Sequence, residues 1–305
     1  MKIIVVNKST DFTEDQINKL KEKGKVVFVE TKEDWIGYND VDSDEEKILL
    51  LDPGIAEWKF SNDRLQDFNN LKAICLPTTD FSWVDVNFLK EKGALVTNVP
   101  KYSTEAVAEH CILLMLSLAK KLPLIIRNDW ELDEELHLGN NIKGKVMGVI
   151  GLGDIGTRTA ELGEAIDMNV KYWSRSSRDQ RFEYLELEDL IKSSDYIFLT
   201  MAENKETEGF FSKSRADMMK RTSSIINIAG EGIWDLEYLN EKLQRNEISG
   251  IGFESDSKKI TDYKGNVMVT PHIAWYTKES FDEDFRIWAD CVISIIDNKP
   301  INVVN

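Results

Sequence analysis

The sequence predicts an α/β protein built on two doubly wound parallel sheets. Three observations predict it: short apolar runs recur along the chain, stretches with helical periodicity separate them, and the runs fall into two series with a long helical segment between. Strands separated by helices of that length form βαβ units, which require parallel pairing. At 305 residues the chain also exceeds what one hydrophobic core commonly serves.

The first series comprises Ile3 to Val6, Val26 to Val29, Ile48 to Leu51, Leu71 to Cys75 and Leu95 to Thr97. The second comprises Val146 to Ile150, Val170 to Trp173, Tyr196 to Leu199, Ser224 to Ile226, Ile248 to Phe253 and Val267 to Val269. Between them, Ser103 to Lys121 is apolar at Ala106, Val107, Ile112, Leu113, Leu116 and Ala119, which reads as a helix connecting the domains, with Ser103 placed to cap it. Asp154 to Ile166 and Lys278 to Asp297 are helical in pattern, and Val303-Val304 is positioned to pair with the first sheet. The chain then divides into a first domain of residues 1–97 and 280–305 and a second of residues 98–279. The acidic stretches Asp40 to Glu46 and Asp133 to Glu135 read as solvent-facing loops.

With 54 acidic against 38 basic residues, the formal charge of −16 argues against a nucleic-acid partner, whose phosphates need a positive surface. No apolar run reaches the about 18 residues that a membrane span needs, so a globular cytoplasmic protein is expected. Met1 to Asn7 reads as a first buried strand rather than a signal peptide. Cys75, Cys111 and Cys291 lie far apart in apolar surroundings, so neither a disulfide framework nor a metal site is expected, and the three should be buried and reduced.

The chemistry is carried first by Gly151-Leu152-Gly153-Asp154-Ile155-Gly156, which follows the apolar run Val146 to Ile150 and opens a helical segment. In that context a GxGxxG turn binds a dinucleotide. Gly151 permits the tight turn, Gly153 admits the pyrophosphate to the backbone, and Gly156 lets helix and strand pack closely. About 20 residues further on, an Asp or Glu would accept hydrogen bonds from the adenosine ribose and mark NAD. Here the chain reads Trp173-Ser174-Arg175-Ser176-Ser177-Arg178, whose hydroxyls and guanidiniums suit a 2′-phosphate, unless Arg175 and Arg178 are merely solvated loop charges. NADP is the expected cofactor, with NAD as the alternative.

From Leu71 to Thr277 the sequence resembles the D-2-hydroxyacid dehydrogenase family, which includes phosphoglycerate dehydrogenase and the glyoxylate and hydroxypyruvate reductases. The matching blocks occur in family order: Val96 to Pro100, Ser103 to Glu109, the glycine turn, Glu206-Thr207, Ile226 to Ala229, and Thr270-Pro271-His272-Ile273-Ala274-Trp275. The resemblance implies a flavodoxin-like substrate domain made from both chain ends, a central Rossmann domain, an active site in the cleft between them, a small-molecule substrate and a homodimer. The dimer interface would include the linking helix and the loop from Trp130 to Leu138. It also implies a cofactor shell of Val107, the turn residues 151–156, Ser174, Arg175, Ser176, Thr200, Met201, Ala202, Thr207, Ile228, Ala229, Glu254, His272 and Ala274.

The family's chemistry rests on a His acid or base, a Glu that polarises it, and an Arg that holds the substrate carboxylate and carbonyl. His272 matches the first, whereas His110 and His137 read as structural or surface residues. The Arg position holds Gly230, within Asn227-Ile228-Ala229-Gly230-Glu231-Gly232, and no Glu falls in the family register along Phe253 to Lys259. The substrate loop reads Thr78-Thr79-Asp80-Phe81, placing a carboxylate where the family has a Gly. Losing a guanidinium partner to a substrate charge costs about 2 to 5 kcal/mol. Two functional readings follow. One is an NADP-dependent oxidoreductase of atypical substrate with His272 as acid or base. The other is a dinucleotide-binding protein with little catalysis, whose bound cofactor sets a conformation that a partner reads.

Overall fold

A computed structural model describes residues 1–42 and 44–305. The chain forms two compact units, Met1–Tyr102 with Lys278–Asn305, and Ser103–Thr277.

The first unit carries strands β1 (Lys2–Val6), β2 (Lys25–Phe28), β3 (Lys47–Leu51), β4 (Leu71–Cys75) and β5 (Leu95–Thr97), all parallel in the order β2-β1-β3-β4-β5. This is the flavodoxin-like order. Ile3 to Val6 and Ile48 to Leu51 are fully buried on both faces, as a sheet covered by helices on each side demands. Val303 bridges Thr97 in the antiparallel sense, and the Val304 N–H donates to the Val96 carbonyl at 2.9 Å. The helix Lys278–Ile296 belongs to this unit and turns Phe285, Trp288, Ala289, Val292 and Ile295 inward, a spacing that follows the helical repeat. Trp288 is wholly buried, and its indole N–H donates to the Cys75 carbonyl at 2.8 Å.

The second unit carries β6 (Val146–Ile150), β7 (Asn169–Trp173), β8 (Glu183–Tyr184), β9 (Tyr196–Leu199), β10 (Ser224–Asn227), β11 (Gly250–Glu254) and β12 (Val267–Thr270), again all parallel, in the order β12-β11-β10-β9-β6-β7-β8. From β6 the chain first adds β7 and β8 on one side, then returns to add β9 on the other. The crevice between β6 and β9 is therefore the switch point at which such sheets bind ligands.

Several local expectations are corrected. β8 was not foreseen, and β11 starts at Gly250 rather than Ile248. The helix expected over Ser103 to Lys121 runs Thr104–Ala119 within the second unit, and Ser103 occupies its N-cap position without a side-chain cap hydrogen bond. Its φ of −110° and ψ of 11° depart from the extended conformation that aims a cap hydroxyl at the first turn. The acidic stretch Asp40 to Glu46 is not uniformly solvated: Asp40 is buried and pairs with Lys2 at 2.5 Å, while residue 43 lies outside the described residues. His137 is buried too, its Nδ1 accepting the Asp133 N–H at 2.9 Å, so its role is to brace the turn. Cys75, Cys111 and Cys291 are buried and free. Among the described residues no helix is long and apolar enough to cross a membrane, and no cluster of ligating side chains could hold a metal.

Candidate functional site

In the second unit every strand runs the same way, so the segments leaving β6, β7, β9, β10, β11 and β12 emerge along one edge. Those segments contain the glycine turn, Ser174 to Ser176, Thr200 to Ala202, Ile228 to Gly230, Glu254 and His272 to Ala274. Parallel topology alone gathers residues scattered over more than a hundred positions of sequence. Val107 lies buried on the helix Thr104–Ala119 of the same unit.

At the switch point, Gly151 has φ of +102°, and a side chain there would collide with the backbone of Met201, whose N would lie 2.7 Å from a Cβ. The Thr200 hydroxyl donates to the Gly151 carbonyl at 2.7 Å and ties β9 to the turn. Gly156 is buried with its α-carbon facing the Gly151 carbonyl, leaving no room for a Cβ. Gly153 differs: a Cβ there meets nothing within 4 Å. It is the N-cap of the helix Asp154–Ala165 and has no side chain to satisfy the helix's first N–H groups. The open space at Gly153, at the positive end of a helix, suits a pyrophosphate.

The segment after β7 holds Ser174 buried and Arg175 exposed, with the Arg175 guanidinium 2.6 Å from the Glu206 carboxylate. Arg178 folds back: Nη1 donates to the carbonyls of Ser174 and Ser177, and the guanidinium carbon sits 4.2 Å from the Tyr184 ring centroid. In the segment after β9, the Thr207 hydroxyl donates to the Ala202 carbonyl and accepts the Asn204 N–H, both at 2.8 Å, which holds Thr207 as a loop brace.

His272 is half exposed and its Nδ1 lies 2.9 Å from Asp256 Oδ2, while its backbone N–H donates to Asp256 Oδ1 at 3.1 Å. The His272 amide and imidazole hold the Asp256 carboxyl below its ordinary pKa. Asp256 is thus a carboxylate partner to the histidine that sequence reasoning overlooked. The register expected a Glu, and an Asp two positions beyond Glu254 reaches the ring from the neighbouring loop. Glu254 is turned inward. Its Oε1 accepts the N–H groups of Ile273 at 2.8 Å and Ala274 at 2.7 Å, and burial nonetheless raises its pKa. It lies 3.7 Å from His110 Nε2, which also meets the Thr270 hydroxyl at 2.9 Å. Burial lowers the His110 pKa, which favours its neutral ring beside Glu254 under the His272 segment.

Gly230 has φ of +141°, a conformation that disfavours side chains, and a Cβ there would run into the carboxylate of Glu203. A Cβ on Gly232 would meet the same carboxylate. Asn227 fixes this loop, donating through Nδ2 to the Gly230 carbonyl at 2.7 Å and accepting the Ala229 N–H at 3.0 Å. Glu231 accepts the Ser255 hydroxyl at 2.5 Å. The position expected to hold an Arg is therefore flanked by Glu203 and Glu231. Glu203 could have been found only from the fold, since nothing in its sequence neighbourhood points to Gly230.

In the first unit the loop after β4 is self-braced. The Thr78 hydroxyl donates to the Asp80 carbonyl at 2.6 Å, Thr79 donates to the Val99 carbonyl at 3.1 Å, and Asn98 Nδ2 donates to the Thr79 carbonyl at 2.9 Å. The Asp80 carboxylate accepts both the N–H and the hydroxyl of Ser82 at 2.9 Å.

Comparison with known proteins identifies the family. Residues 112–274 match the D-isomer specific 2-hydroxyacid dehydrogenase, NAD binding domain. A protein of Staphylococcus saprophyticus named as a 2-hydroxyacid dehydrogenase is 32% identical over 256 residues, covering 78% of this chain and 80% of its own length. Among solved structures, an acyclic imino acid reductase in complex with NADPH and D-Arg is 27% identical with a TM-score of 0.80, each chain covered completely. D-lactate dehydrogenase from Aquifex aeolicus, complexed with NAD and lactic acid, is 25% identical with a TM-score of 0.72, over 98% of this chain and 96% of its own. With the family's NAD binding domain spanning more than half the chain and a named relative matching most of its length, this chain belongs to the D-isomer specific 2-hydroxyacid dehydrogenase family of oxidoreductases acting on CH–OH groups.

Proposed function

We propose that this chain is an NADP-preferring reductase of a small carbonyl or imino compound, with His272 supplying the proton. The observation that carries the proposal is the His272–Asp256 pair at 2.9 Å, at the same strand edge as the open Gly153 cradle. When bound, the nicotinamide dinucleotide supplies the hydride. The chain's own residues do the rest. The segment after Gly153 would hold the pyrophosphate, and Ser174, Arg175 and Ser176 would offer hydroxyls and a cation to the ribose in place of a carboxylate. Asp256 fixes the imidazole tautomer with the proton on Nδ1, which leaves Nε2 to carry the transferable proton in the charged form.

Gly230, flanked by Glu203 and Glu231, favours a substrate that does not rely on a guanidinium to hold its carboxylate, and a positively charged substrate would meet the local carboxylates favourably. The imino acid reductase relative in complex with NADPH and D-Arg supports that reading. The cofactor-dependent regulatory reading remains the alternative outcome. A homodimer is also proposed, through the exposed Leu113 and Leu116 of the helix Thr104–Ala119 and the exposed Trp130, Leu132, Leu136 and Leu138.

The test is NADPH and NADH consumption by the full chain against a panel of 2-keto acids, neutral carbonyls and cationic keto acids with and without ammonia or a primary amine. Turnover with NADPH on any member supports the proposal. Tight NADPH binding without turnover on any member favours the regulatory reading.

A further inference from the structure

The opposite edge of the second unit's sheet, where the strands begin, holds a cleft of about 390 Å³. Strands of this length, rising roughly 3.3 Å per residue, set that edge on the order of 15 Å from the glycine turn. The cleft therefore lies apart from the dinucleotide cradle.

Three cations line it. Lys121 follows the helix Thr104–Ala119, Lys145 precedes β6 and Arg221 precedes β10. Lys121 Nζ lies 3.4 Å from the Ser249 hydroxyl, and Arg221 Nε donates to the Asn246 carbonyl at 3.2 Å. The one carboxylate in the lining, Asp195, is already engaged: Oδ2 accepts the Val146 N–H at 2.8 Å and Oδ1 meets Lys220 at 2.9 Å. Burial raises the Asp195 pKa, yet the Val146 amide and Lys220 together hold it below the ordinary value. In a chain of net charge −16, three cations around one cleft with a single carboxylate among them, Asp195, which Lys145 and Lys220 both attract, run against the trend of the molecule. Leu124, Leu136, Leu243 and Ile248 contribute apolar surface to the same lining.

We propose that this cleft binds a small dianion with an apolar body, a phosphate monoester or a dicarboxylate, as a second ligand site distinct from the dinucleotide site. The cations would take the charge, the apolar lining the body, and the volume falls in the range of about 300–1,000 Å³ usual for small-molecule sites. Lys121 gives a second reason. Its burial lowers its pKa, so the charged form is held at a cost that an anion beside it would relieve.

The experiment is calorimetric titration of the full chain, at low ionic strength and in saturating NADPH, with phenyl phosphate and with phthalate as probes. Expected is one site per chain for at least one probe, weakened about tenfold or more in Arg221→Gln and in Lys121→Gln, as loss of a charge-assisted contact implies. The stronger probe identifies the headgroup. Arg221 is exposed, so its variant keeps the test decisive if Lys121→Gln disturbs the helix end. Absence of binding, or equal affinity in wild type and both variants, would each overturn the proposal.

Discussion

His272 and Asp256 meet at 2.9 Å although they leave different strands, β12 and β11, and Asp256 engages both the imidazole and the backbone amide of His272. One carboxylate thus sets ring tautomer and segment position together. Replacing His272 by Gln should lower kcat on the best substrate by about 100- to 10,000-fold, the usual contribution of a positioned acid or base. Asp256→Asn should cost less, about tenfold, because the exposed pair is partly screened by solvent. Dinucleotide affinity from fluorescence titration should be unchanged in Asp256→Asn. A wild-type rate in His272→Gln would remove the assignment.

The Arg175 guanidinium lies 2.6 Å from Glu206, so a 2′-phosphate would compete with that carboxylate for it. NADPH should bind severalfold more tightly than NADH. Arg175→Ala should abolish the preference by weakening NADPH alone, while Glu206→Gln should strengthen NADPH by freeing the guanidinium. Fluorescence titration of both cofactors decides, and equal affinities in wild type would refute the NADP reading.

Wild-type protein should reduce glyoxylate and hydroxypyruvate poorly, for want of a guanidinium near the carboxylate. Gly230→Arg is not a simple restoration. The φ of +141° and the Glu203 carboxylate both oppose a side chain, so the variant should lose about 1 kcal/mol or more of stability, roughly 2–4 °C in Tm. Gly230→Arg with Glu203→Ala should recover part of that loss and gain activity on glyoxylate. Robust wild-type turnover of these keto acids would show that the missing Arg is unimportant.

Asp284, on the helix Lys278–Ile296 of the first unit, is buried and faces Asp52, and burial followed by the Asp52 charge pushes its pKa up to about 8. Its folded value lies above the unfolded one, so the folded state holds the extra proton. Stability should be highest below about pH 4 from this group's viewpoint and fall as pH rises toward 8, by at most about 1.4 kcal/mol per pH unit. Burial raises Asp52 in the same direction. Asp284→Asn should flatten the slope of stability between pH 5 and 8 in urea titrations. An unchanged slope would show that Asp284 ionises normally.

Sedimentation at micromolar concentration should return a dimer. Leu132→Glu with Leu138→Glu, at exposed positions, should shift it to monomer without loss of Tm. A wild-type monomer would remove the interface proposal.

The strands and the glycine turn are legible in the sequence because apolar runs such as Ile48 to Leu51 must be buried, and because Gly151 and Gly156 occupy places where no side chain fits. Parallel connection then carries Thr200, Ile228, Glu254 and His272 to one edge without further information. What escaped depends on contacts between segments distant in sequence. β8 has two residues, too few for a period to register. Asp40 reads as solvated from its acidic neighbours, yet Lys2 draws it inward. Asp256 and Glu203 gain their meaning only from His272 and Gly230 across loops, and the left-handed φ of Gly230 is invisible until the loop is traced.

The burial of Trp288 against Cys75 also has a temporal side. The sheet β1 to β5 is complete in sequence by Thr97, but the helix that covers one of its faces begins at Lys278, after the whole second unit. At synthesis rates of about 5–20 residues per second, that face waits roughly 10 to 40 s for its cover. During this interval Ile3, Val5, Ile48 and Leu50, all wholly buried in the finished fold, have only part of their final packing, while the second unit can already fold behind them. The early sheet therefore spends this interval incompletely covered, until the helix Lys278–Ile296 and then Val303 and Val304 complete its packing.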